Sequence, residues 1–403
     1  MNPVAKPVLF VAGHAPAYRV GALARLHERE GIELALFGGR STHGGMPTPA
    51  KLPVPHVHVR PHQLAALAAS GRYRAVVCPT GGRLAPLATW AGARRARVPV
   101  ILWASLWAHP RSAAHALTYL PLARLYRSAD AVVTYGPHVS AYVSARGARN
   151  VYVAAQSVDN QFWRARVSGA PQEPGWPAGA AVRFLFVGRA APEKGLGVLA
   201  DAWRAAGSAL ADSGAALADA DAELADADAA LAGADAAPAD AGAALVLAGV
   251  TRGSPLLGGL DADAGARPRA PVACLGTLDP PRLRDVYGAC HVLVVPSVRT
   301  RTFREPWGLV VNEAMNQGLA VIATDAVGAA AGGLVEHGEN GLIVRAGDSH
   351  ALAEAIMRLA ADAQLRARMG AAGAQDVLAY SYDAWAEGFS RALSSLGVSR
   401  GHW

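Results

Sequence analysis

The segment RTFREPWGLVVNEAMNQGLAVIATD, residues 301–325, carries the pattern that decides the fold of the second half of the chain. Its last seven residues, LAVIATD, form an apolar run typical of a buried parallel strand. The run that precedes them, residues 308–317, predicts a short helix. A loop, a helix and a strand in this order form the repeating unit of a doubly wound α/β sheet.

Two carboxylates in this segment, Glu305 and Glu313, are separated by a Pro-Trp-Gly turn. Gly308 lets the backbone approach a ligand closely, and the start of the following helix suits a diphosphate. Glu313, predicted in the second helical turn, has the oxygens to accept from two ribose hydroxyls, and Glu305 those to hold sugar hydroxyls. A plain loop-to-helix junction is the alternative, but the turn and the Pro-Ser at 296–297 favour a ligand site.

A second segment, FLFVGRAAPEKGLGVLADAW at 184–203, predicts a strand that ends at Gly188, followed by Arg189 and by a helix that Lys194 opens. Two cations at the carboxyl end of a parallel strand match the usual crevice for phosphate ligands. The alternative is two surface cations at a strand–helix turn. Neither a GxGxxG nor a GxxxxGK[ST] motif occurs here, so neither a dinucleotide fingerprint nor a Walker loop is indicated.

Strands and helices alternate in both halves of the chain, which predicts two parallel-sheet domains. The predicted N-terminal domain covers 1–170, a Gly- and Pro-rich linker covers 171–181, and the second domain covers 182–380. An Ala- and Asp-rich insertion at 205–243 contains four near-copies of a seven-residue unit and is expected to be partly disordered or loosely helical. A partner-binding helix is the alternative interpretation of that insertion.

Charge is unevenly distributed along the chain. Residues 1–170 contain 20 Lys and Arg against 5 Asp and Glu, whereas the whole chain has a net charge of +7. The basic half is consistent with an anionic membrane surface, with phosphorylated substrates, or with an ordinary Arg-rich surface. No nucleic-acid motif accompanies the charge, so no nucleic-acid partner is expected.

Cysteine usage and hydropathy predict the location of the protein. Three scattered cysteines, Cys78, Cys274 and Cys290, indicate a reducing cytoplasm and no metal site. No apolar stretch reaches about 18 residues, so no membrane span is predicted, and the first apolar run is interpreted as a strand and not as a signal peptide. The expected location is cytoplasmic, with peripheral association at the inner membrane face.

Several motifs of the second half resemble those of the group 1 (family four) retaining glycosyltransferases of the GT-B fold. The resemblance is close from Phe184 to about Ala360 and looser in the first half. The motifs that carry it are PS at 296–297, EPWGLVVNEAM at 305–315, G-x-x-V-I-A-T-D at 318–325 and NGLIV at 340–344, joined in the first half by SLWAHP at 105–110, SADAVVTYG at 128–136 and QSVDNQFW at 156–163.

The resemblance implies an architecture and a set of contacts. It implies two Rossmann-like doubly wound domains that face a central cleft, with the last helix, at about 383–403, returning to the first domain. Donor contacts are implied for Gly13, Arg189, Lys194, Gly276, Leu278, Glu305, Gly308, Leu309, Val310 and Glu313. The implied catalytic residues are His109, Glu305, Arg189 and Lys194.

The implied reaction is transfer of a sugar from a nucleotide-diphosphate sugar to an unidentified acceptor hydroxyl, in the synthesis of a cell-envelope glycan, glycolipid or polysaccharide. Arg189 and Lys194 would stabilise the leaving diphosphate, and neither a metal nor another cofactor is expected. A nucleotide-sugar epimerase on the same fold and a non-catalytic nucleotide-sugar-binding protein are the alternatives. A Schiff-base phosphorylase is disfavoured because none of the three lysines lies in a suitable context.

Overall fold

A computed structural model describes residues 6–38, 49, 51–82, 84–167, 169–207, 210, 242–260 and 270–400. The predicted insertion at 205–243 lies mostly outside these residues. Contacts divide the chain into two compact units, one formed by Met1–Asp159 with Ala379–Trp403 and the other by Asn160–Leu378. Within the described part of the chain, no helix is both long enough and apolar enough to cross a membrane.

The strands and helices are numbered in chain order. The strands are β1 (Val8–Ala12), β2 (Ile32–Leu36), β3 (His56–His58), β4 (Ala75–Pro79), β5 (Val100–Ala104), β6 (Ala131–Thr134), β7 (Val151–Val153), β8 (Val182–Val187), β9 (Ala243–Ala248), β10 (Val272–Gly276), β11 (Val292–Val295), β12 (Ala320–Thr324) and β13 (Gly341–Val344). The helices are α1 (Ala17–Glu30), α2 (Leu64–Ala68), α3 (Ala85–Ala96), α4 (Ala113–Ser128), α5 (Pro137–Ser144), α6 (Asn160–Arg164), α7 (196–207), α8 (Pro280–Gly288), α9 (Val310–Asn316), α10 (Gly328–Ala331), α11 (Ser349–Ala361), α12 (Ala363–Asp376) and α13 (Tyr382–Ser395).

The first unit is built on a parallel sheet with the order β3-β2-β1-β4-β5-β6-β7 among its described strands. The strands are nearly continuous apolar runs because helices cover both faces of the sheet. Helix α13 completes one of these faces, since Trp385, Phe389 and Leu393 are buried against Phe10 of β1. Their spacing places them on one side of the helix.

The second unit has a parallel sheet with the order β10-β9-β8-β11-β12-β13 among its described strands. In both units the strand order reverses direction beside the first strand of the unit. Such a topological switch point opens a crevice at the carboxyl ends of the two strands that flank it. In the second unit these strands are β8 and β11.

The structure confirms the α/β fold with two Rossmann-like sheets and most of the predicted strands and helices. The short strand β3 was missed by the sequence analysis because its three residues, two of them histidines, show no apolar run. Helix α9 begins at Val310, later than predicted, because Gly308 has a φ of +93° that does not occur inside a helix. Glu313 therefore lies in the first turn of α9 and not in the second.

The division between the units differs from the predicted domains. Residues 160–170, assigned to the first domain, and the predicted linker at 171–181 both belong to the second unit. An ion pair between a buried carboxylate and an exposed arginine explains part of this difference. The carboxylate of Glu173, 9% exposed, accepts hydrogen bonds of 2.8 and 2.6 Å from the guanidinium of Arg282. A segment rich in Gly and Pro is thereby held on the second unit.

Candidate donor site at the switch point of the second unit

The turn after β8 lies directly against the end of β11. Gly195 has a φ of +71°, and a Cβ atom at this position would stand 1.8 Å from the carbonyl oxygen of Pro296. The backbone of Val298 also donates to the carbonyl of Glu193 over 3.0 Å. Only glycine fits this approach, so the turn that carries Lys194 is fixed at the switch point.

Lys194 and Glu305 form an ion pair at this place. The ammonium nitrogen of Lys194 lies 2.5 Å from Oε2 of Glu305, and the two side chains are 24% and 10% exposed. The loop that carries Glu305 is held by a bridge to Val327 and by a 3.1 Å hydrogen bond from the Gly328 amide to the Glu305 carbonyl. The structure thus brings together two residues that the sequence analysis assigned to one site.

Arg189, the second predicted cation, lies in the same turn but is more open to solvent. Its guanidinium lies 3.0 Å from Oε1 of Glu193, and its side chain is 48% exposed. The exposed position leaves the guanidinium able to reorient toward an anion. Glu193 was not singled out from the sequence, because a glutamate beside a lysine in a turn is an ordinary surface pattern.

Glu313 lies on α9 and contacts a residue that the sequence analysis missed. The hydroxyl of Tyr287, at the end of α8, donates to Oε2 of Glu313 over 2.8 Å. Burial raises the pKa of Glu313 from its ordinary 4.5 to about 7, although the hydrogen bond from Tyr287 acts in the opposite direction. Only a small part of Glu313 reaches the surface. No sequence signal marked Tyr287, since its partner lies 26 positions away.

The remaining predicted donor contacts of this unit lie at the same edge of the sheet. Gly276 ends β10, where its amide donates to Val250 and its carbonyl accepts from Gly249 over 2.6 Å. Leu278, two residues further, is 9% exposed. Leu309 and Val310 are partly exposed at the start of α9. Carboxyl ends of parallel strands share one edge, so these residues lie on the side of the sheet that also carries Lys194.

Two predicted site residues, Gly13 and His109, belong to the first unit. Gly13 follows β1, and its carbonyl accepts a 2.7 Å hydrogen bond from Gly38. His109 follows β5, and its Nε2 lies 2.7 Å from the carbonyl of His115, which assigns the proton to Nε2. Its Nδ1 is buried and has no hydrogen-bond partner among the described residues.

Arg19 is a buried cation in the first unit that the sequence analysis did not single out. Its guanidinium donates to Oε1 of Gln156 over 2.5 Å and lies 4.9 Å from the centre of the Trp103 ring. Burial, followed by the charge of Arg19, lowers the pKa of His14. A lone arginine on an amphipathic helix resembles a solvated residue, so the sequence offered no signal for it.

Comparisons with known proteins point to one family. The model described as "Glycosyl transferases group 1" matches residues 224–362, a range that contains Glu305 and Glu313. This part of the chain is similar to the group 1 glycosyltransferases. The chain is 34% identical over 159 residues to the D-inositol 3-phosphate glycosyltransferase of Streptomyces griseus, a match covering 35% of this chain and 32% of that protein. The chain spans a third or less of the length of the curated relatives it matches.

Solved structures match this chain over nearly its whole length and show the GT-B fold. The Anabaena protein HepE, solved with UDP and glucose, has a TM-score of 0.65 at 18% identity and covers 97% of this chain and 100% of its own. Sucrose-phosphate synthase from Thermosynechococcus elongatus has a TM-score of 0.64 at 20% identity and covers 97% and 99%. The predicted fold class is thereby confirmed.

No group of three or more His, Cys, Asp or Glu side chains within the described ranges is arranged to hold a metal ion.

Proposed function

We propose that this chain is a retaining glycosyltransferase that moves a sugar from a nucleotide-diphosphate sugar to an acceptor hydroxyl without a metal or other cofactor. The observation that carries the proposal is the Lys194–Glu305 ion pair at the switch point of the second unit. It sets a cation for the leaving diphosphate beside a carboxylate for the transferred sugar. The match of residues 224–362 to the group 1 glycosyltransferases supports this assignment.

The proposed donor contacts follow from the chemistry of each group. Arg189 and Lys194 neutralise the charge that develops on the leaving diphosphate, a preorganised electrostatic effect that acts mainly in the transition state. Glu305 releases part of its pairing with Lys194 to accept from the sugar hydroxyls. Glu313 accepts from the ribose hydroxyls, for which it must be ionised. Backbone groups at Gly308, Leu309 and Val310 contact phosphate and sugar, those at Gly276 and Leu278 contact the base, and Gly13 approaches the donor phosphates.

Retention of configuration is part of the same proposal. The acceptor hydroxyl attacks on the face from which the diphosphate departs, and a diphosphate oxygen takes the acceptor proton. His109 acts near the transferred sugar through the imidazole whose Nδ1 is unpaired among the described residues. The transferred sugar enters a cell-envelope glycan, glycolipid or polysaccharide made on the cytoplasmic side of the membrane.

Calorimetric titration with UDP, GDP, ADP, CMP and TDP, with and without EDTA, tests the donor site. UDP is the first choice because the HepE structure contains it. We expect tight binding of one diphosphate, unchanged by EDTA and lost in Glu313→Ala, while the exposed Glu339→Ala control binds like the wild type. Loss of nucleotide binding in the presence of EDTA would contradict the proposal that no metal is needed. A folded protein that binds none of the five nucleotides would refute the donor site.

Product analysis separates transfer from the two alternatives. Incubation of the bound sugar nucleotide with and without a pool of acceptors should release nucleoside diphosphate only when an acceptor is present. An epimerase would convert the donor to its epimer without any acceptor. A binding protein would retain the donor unchanged under both conditions.

A further inference from the structure

Two neighbouring helices of the first unit expose large apolar side chains. Leu84 precedes α3 and Leu87 lies on it, and they are 62% and 42% exposed. Leu117 and Leu120 lie on α4 and are 82% and 75% exposed. A single exposed leucine needs no explanation, but several on adjacent helices mark an interaction surface.

The exposed residues form one stripe along each helix, and each stripe changes from leucine to arginine. On α3 the stripe is Leu84, Leu87, Ala91 and Arg95, and on α4 it is Leu117, Leu120, Arg124 and Arg127. All eight are exposed. Their spacing of three and four residues places each set on one helical face. The leucines lie in or just before the first half of each helix, which is the half nearer the carboxyl edge of the sheet.

The two stripes belong to one surface. Because β4 and β5 are parallel neighbours and crossovers are right-handed, α3 and α4 run side by side on the same face of the sheet. The Arg94 guanidinium of α3 donates to the Ser128 carbonyl at the end of α4. A groove of about 450 Å³ lies between the helices. It is lined by Trp90 of α3 and by Tyr119, Leu120, Ala123, Arg124 and Arg127 of α4.

The charge around this surface is predominantly positive. Residues 34–129, which include both helices, contain twelve Lys and Arg and no Asp or Glu. Asp130, the first acid after α4, lies 3.4 Å from Arg94. A second copy docked through the same face would bring arginines against arginines, which is repulsive. Exposed leucines beside an excess of arginines match a partner whose surface is anionic and whose interior is apolar.

We propose that the α3/α4 face docks on an anionic lipid bilayer. Leu84, Leu87, Leu117 and Leu120 enter the boundary between headgroups and acyl chains, while Arg95 and Arg124 contact headgroup phosphates. The groove takes part of an acyl chain between the helices. This docking goes beyond the proposed sugar transfer and does not depend on it, and it would hold the carboxyl edge of the first sheet near lipid-linked acceptors.

Vesicle co-sedimentation tests the surface with the full chain. Wild type is mixed with vesicles of phosphatidylcholine alone and of phosphatidylcholine with phosphatidylglycerol. We expect binding only to the anionic vesicles, and less of it at high salt. Binding equal on both vesicle types, or absent from both, would overturn the proposal.

Paired variants locate the binding. Leu117→Ser with Leu120→Ser, and separately Arg95→Gln with Arg124→Gln, should each weaken binding, the arginine pair by roughly thirtyfold. The charge-matched control is Arg358→Gln with Arg368→Gln, two exposed arginines of α11 and α12, which should bind like the wild type. Unchanged melting temperatures verify the fold, because all the substituted side chains are exposed. Equal loss in the control pair would show general charge attraction and overturn the assignment to this face.

Gel filtration of wild type and of the Leu117→Ser, Leu120→Ser double variant distinguishes a lipid bilayer from a second copy of the chain as the occupant of this face. Under the proposal, wild type and the leucine variant elute alike in the absence of lipid. A wild type that self-associates through these leucines and does not bind vesicles would replace the bilayer with a second copy of the chain.

Discussion

The ammonium group of Lys194 lies 2.5 Å from a carboxylate oxygen of Glu305, although the two residues are separated by 111 positions. The cation proposed for the diphosphate is therefore paired with the carboxylate proposed for the sugar. Under the proposed function, a diphosphate that approaches Lys194 would compete with Glu305 and release it toward the sugar. This relationship would then couple recognition of the two halves of the donor.

Breaking this pair from either side should destabilise the second unit. Lys194→Met and Glu305→Gln each remove one charge of a partly buried pair, at a cost of about 1–3 kcal/mol. The double variant should cost less than the sum of the two single variants, which a double-mutant cycle in urea unfolding would measure. The matched control is the more exposed Arg189–Glu193 pair, whose coupling should stay below about 1 kcal/mol. Equal coupling energies in the two ion pairs would contradict the expectation that burial strengthens the Lys194–Glu305 pair.

Ionisation of Glu313 should make stability depend on pH. Its pKa in the folded protein is raised from 4.5 to about 7. Below pH 4.5 the Glu313 carboxyl is protonated in both the folded and the unfolded protein. Between pH 4.5 and about 7 it loses its proton only in the unfolded chain, which favours unfolding. The free energy of unfolding therefore falls over that range, by on the order of 3 kcal/mol at most. Glu313→Gln removes this loss and keeps an oxygen that can accept from Tyr287.

The Glu313→Gln variant should therefore be more stable than wild type at about pH 8 and equal to it near pH 4, as measured by urea unfolding at a series of pH values. Glu339→Gln, at an exposed position, should show no such difference. A stability advantage of Glu313→Gln that does not change with pH would contradict the raised pKa. Because the ribose contact needs the ionised carboxylate, nucleoside diphosphate affinity should fall in wild type as the pH drops below about 7.

The glycine at the switch point should not tolerate a side chain. Gly195→Ala combines a positive φ with a Cβ placed 1.8 Å from the Pro296 carbonyl oxygen, so the backbone must move. We expect a loss of about 3 kcal/mol or more together with loss of nucleotide binding. Gly318→Ala is the control, because Gly318 has a similar φ of +75° but nothing within 4 Å of the added Cβ. It should lose only about 1–2 kcal/mol in thermal or urea unfolding. Similar losses at both positions would show that φ alone matters.

The sequence predicted the two sheets well, because buried parallel strands are apolar runs. The 301–325 motif is local, so it also predicted the loop, helix and strand that carry Glu305 and Glu313. It did not predict the contacts that join distant positions. Glu173 looked like part of a linker because its partner Arg282 lies 109 positions away. Tyr287 and Arg19 were missed for the same reason, since burial of a polar residue is decided by elements that pack on it from elsewhere in the chain.

The last helix shows this dependence on distant packing most directly, and it can be tested by one substitution. Phe389 of α13 is fully buried, with its ring centre 5.5 Å from that of Phe10 in β1 and 4.6 Å from that of Trp385. Phe389→Ala should destabilise the first unit by about 3–5 kcal/mol, through lost burial and the cavity left behind. Near-ultraviolet circular dichroism during thermal unfolding would report this, because the buried ring lies among aromatic neighbours.

Ser394→Ala, at an exposed position of the same helix, should melt like the wild type. Nucleotide binding by Phe389→Ala below its melting temperature should be preserved, since most of the residues proposed to bind the donor lie in the second unit. If Phe389→Ala were as stable as the wild type, α13 would not contribute to the core of the first unit. Loss of nucleotide binding in a variant that still melts cooperatively would instead mean that α13 supports the donor site, because the substitution leaves every residue assigned to that site in place.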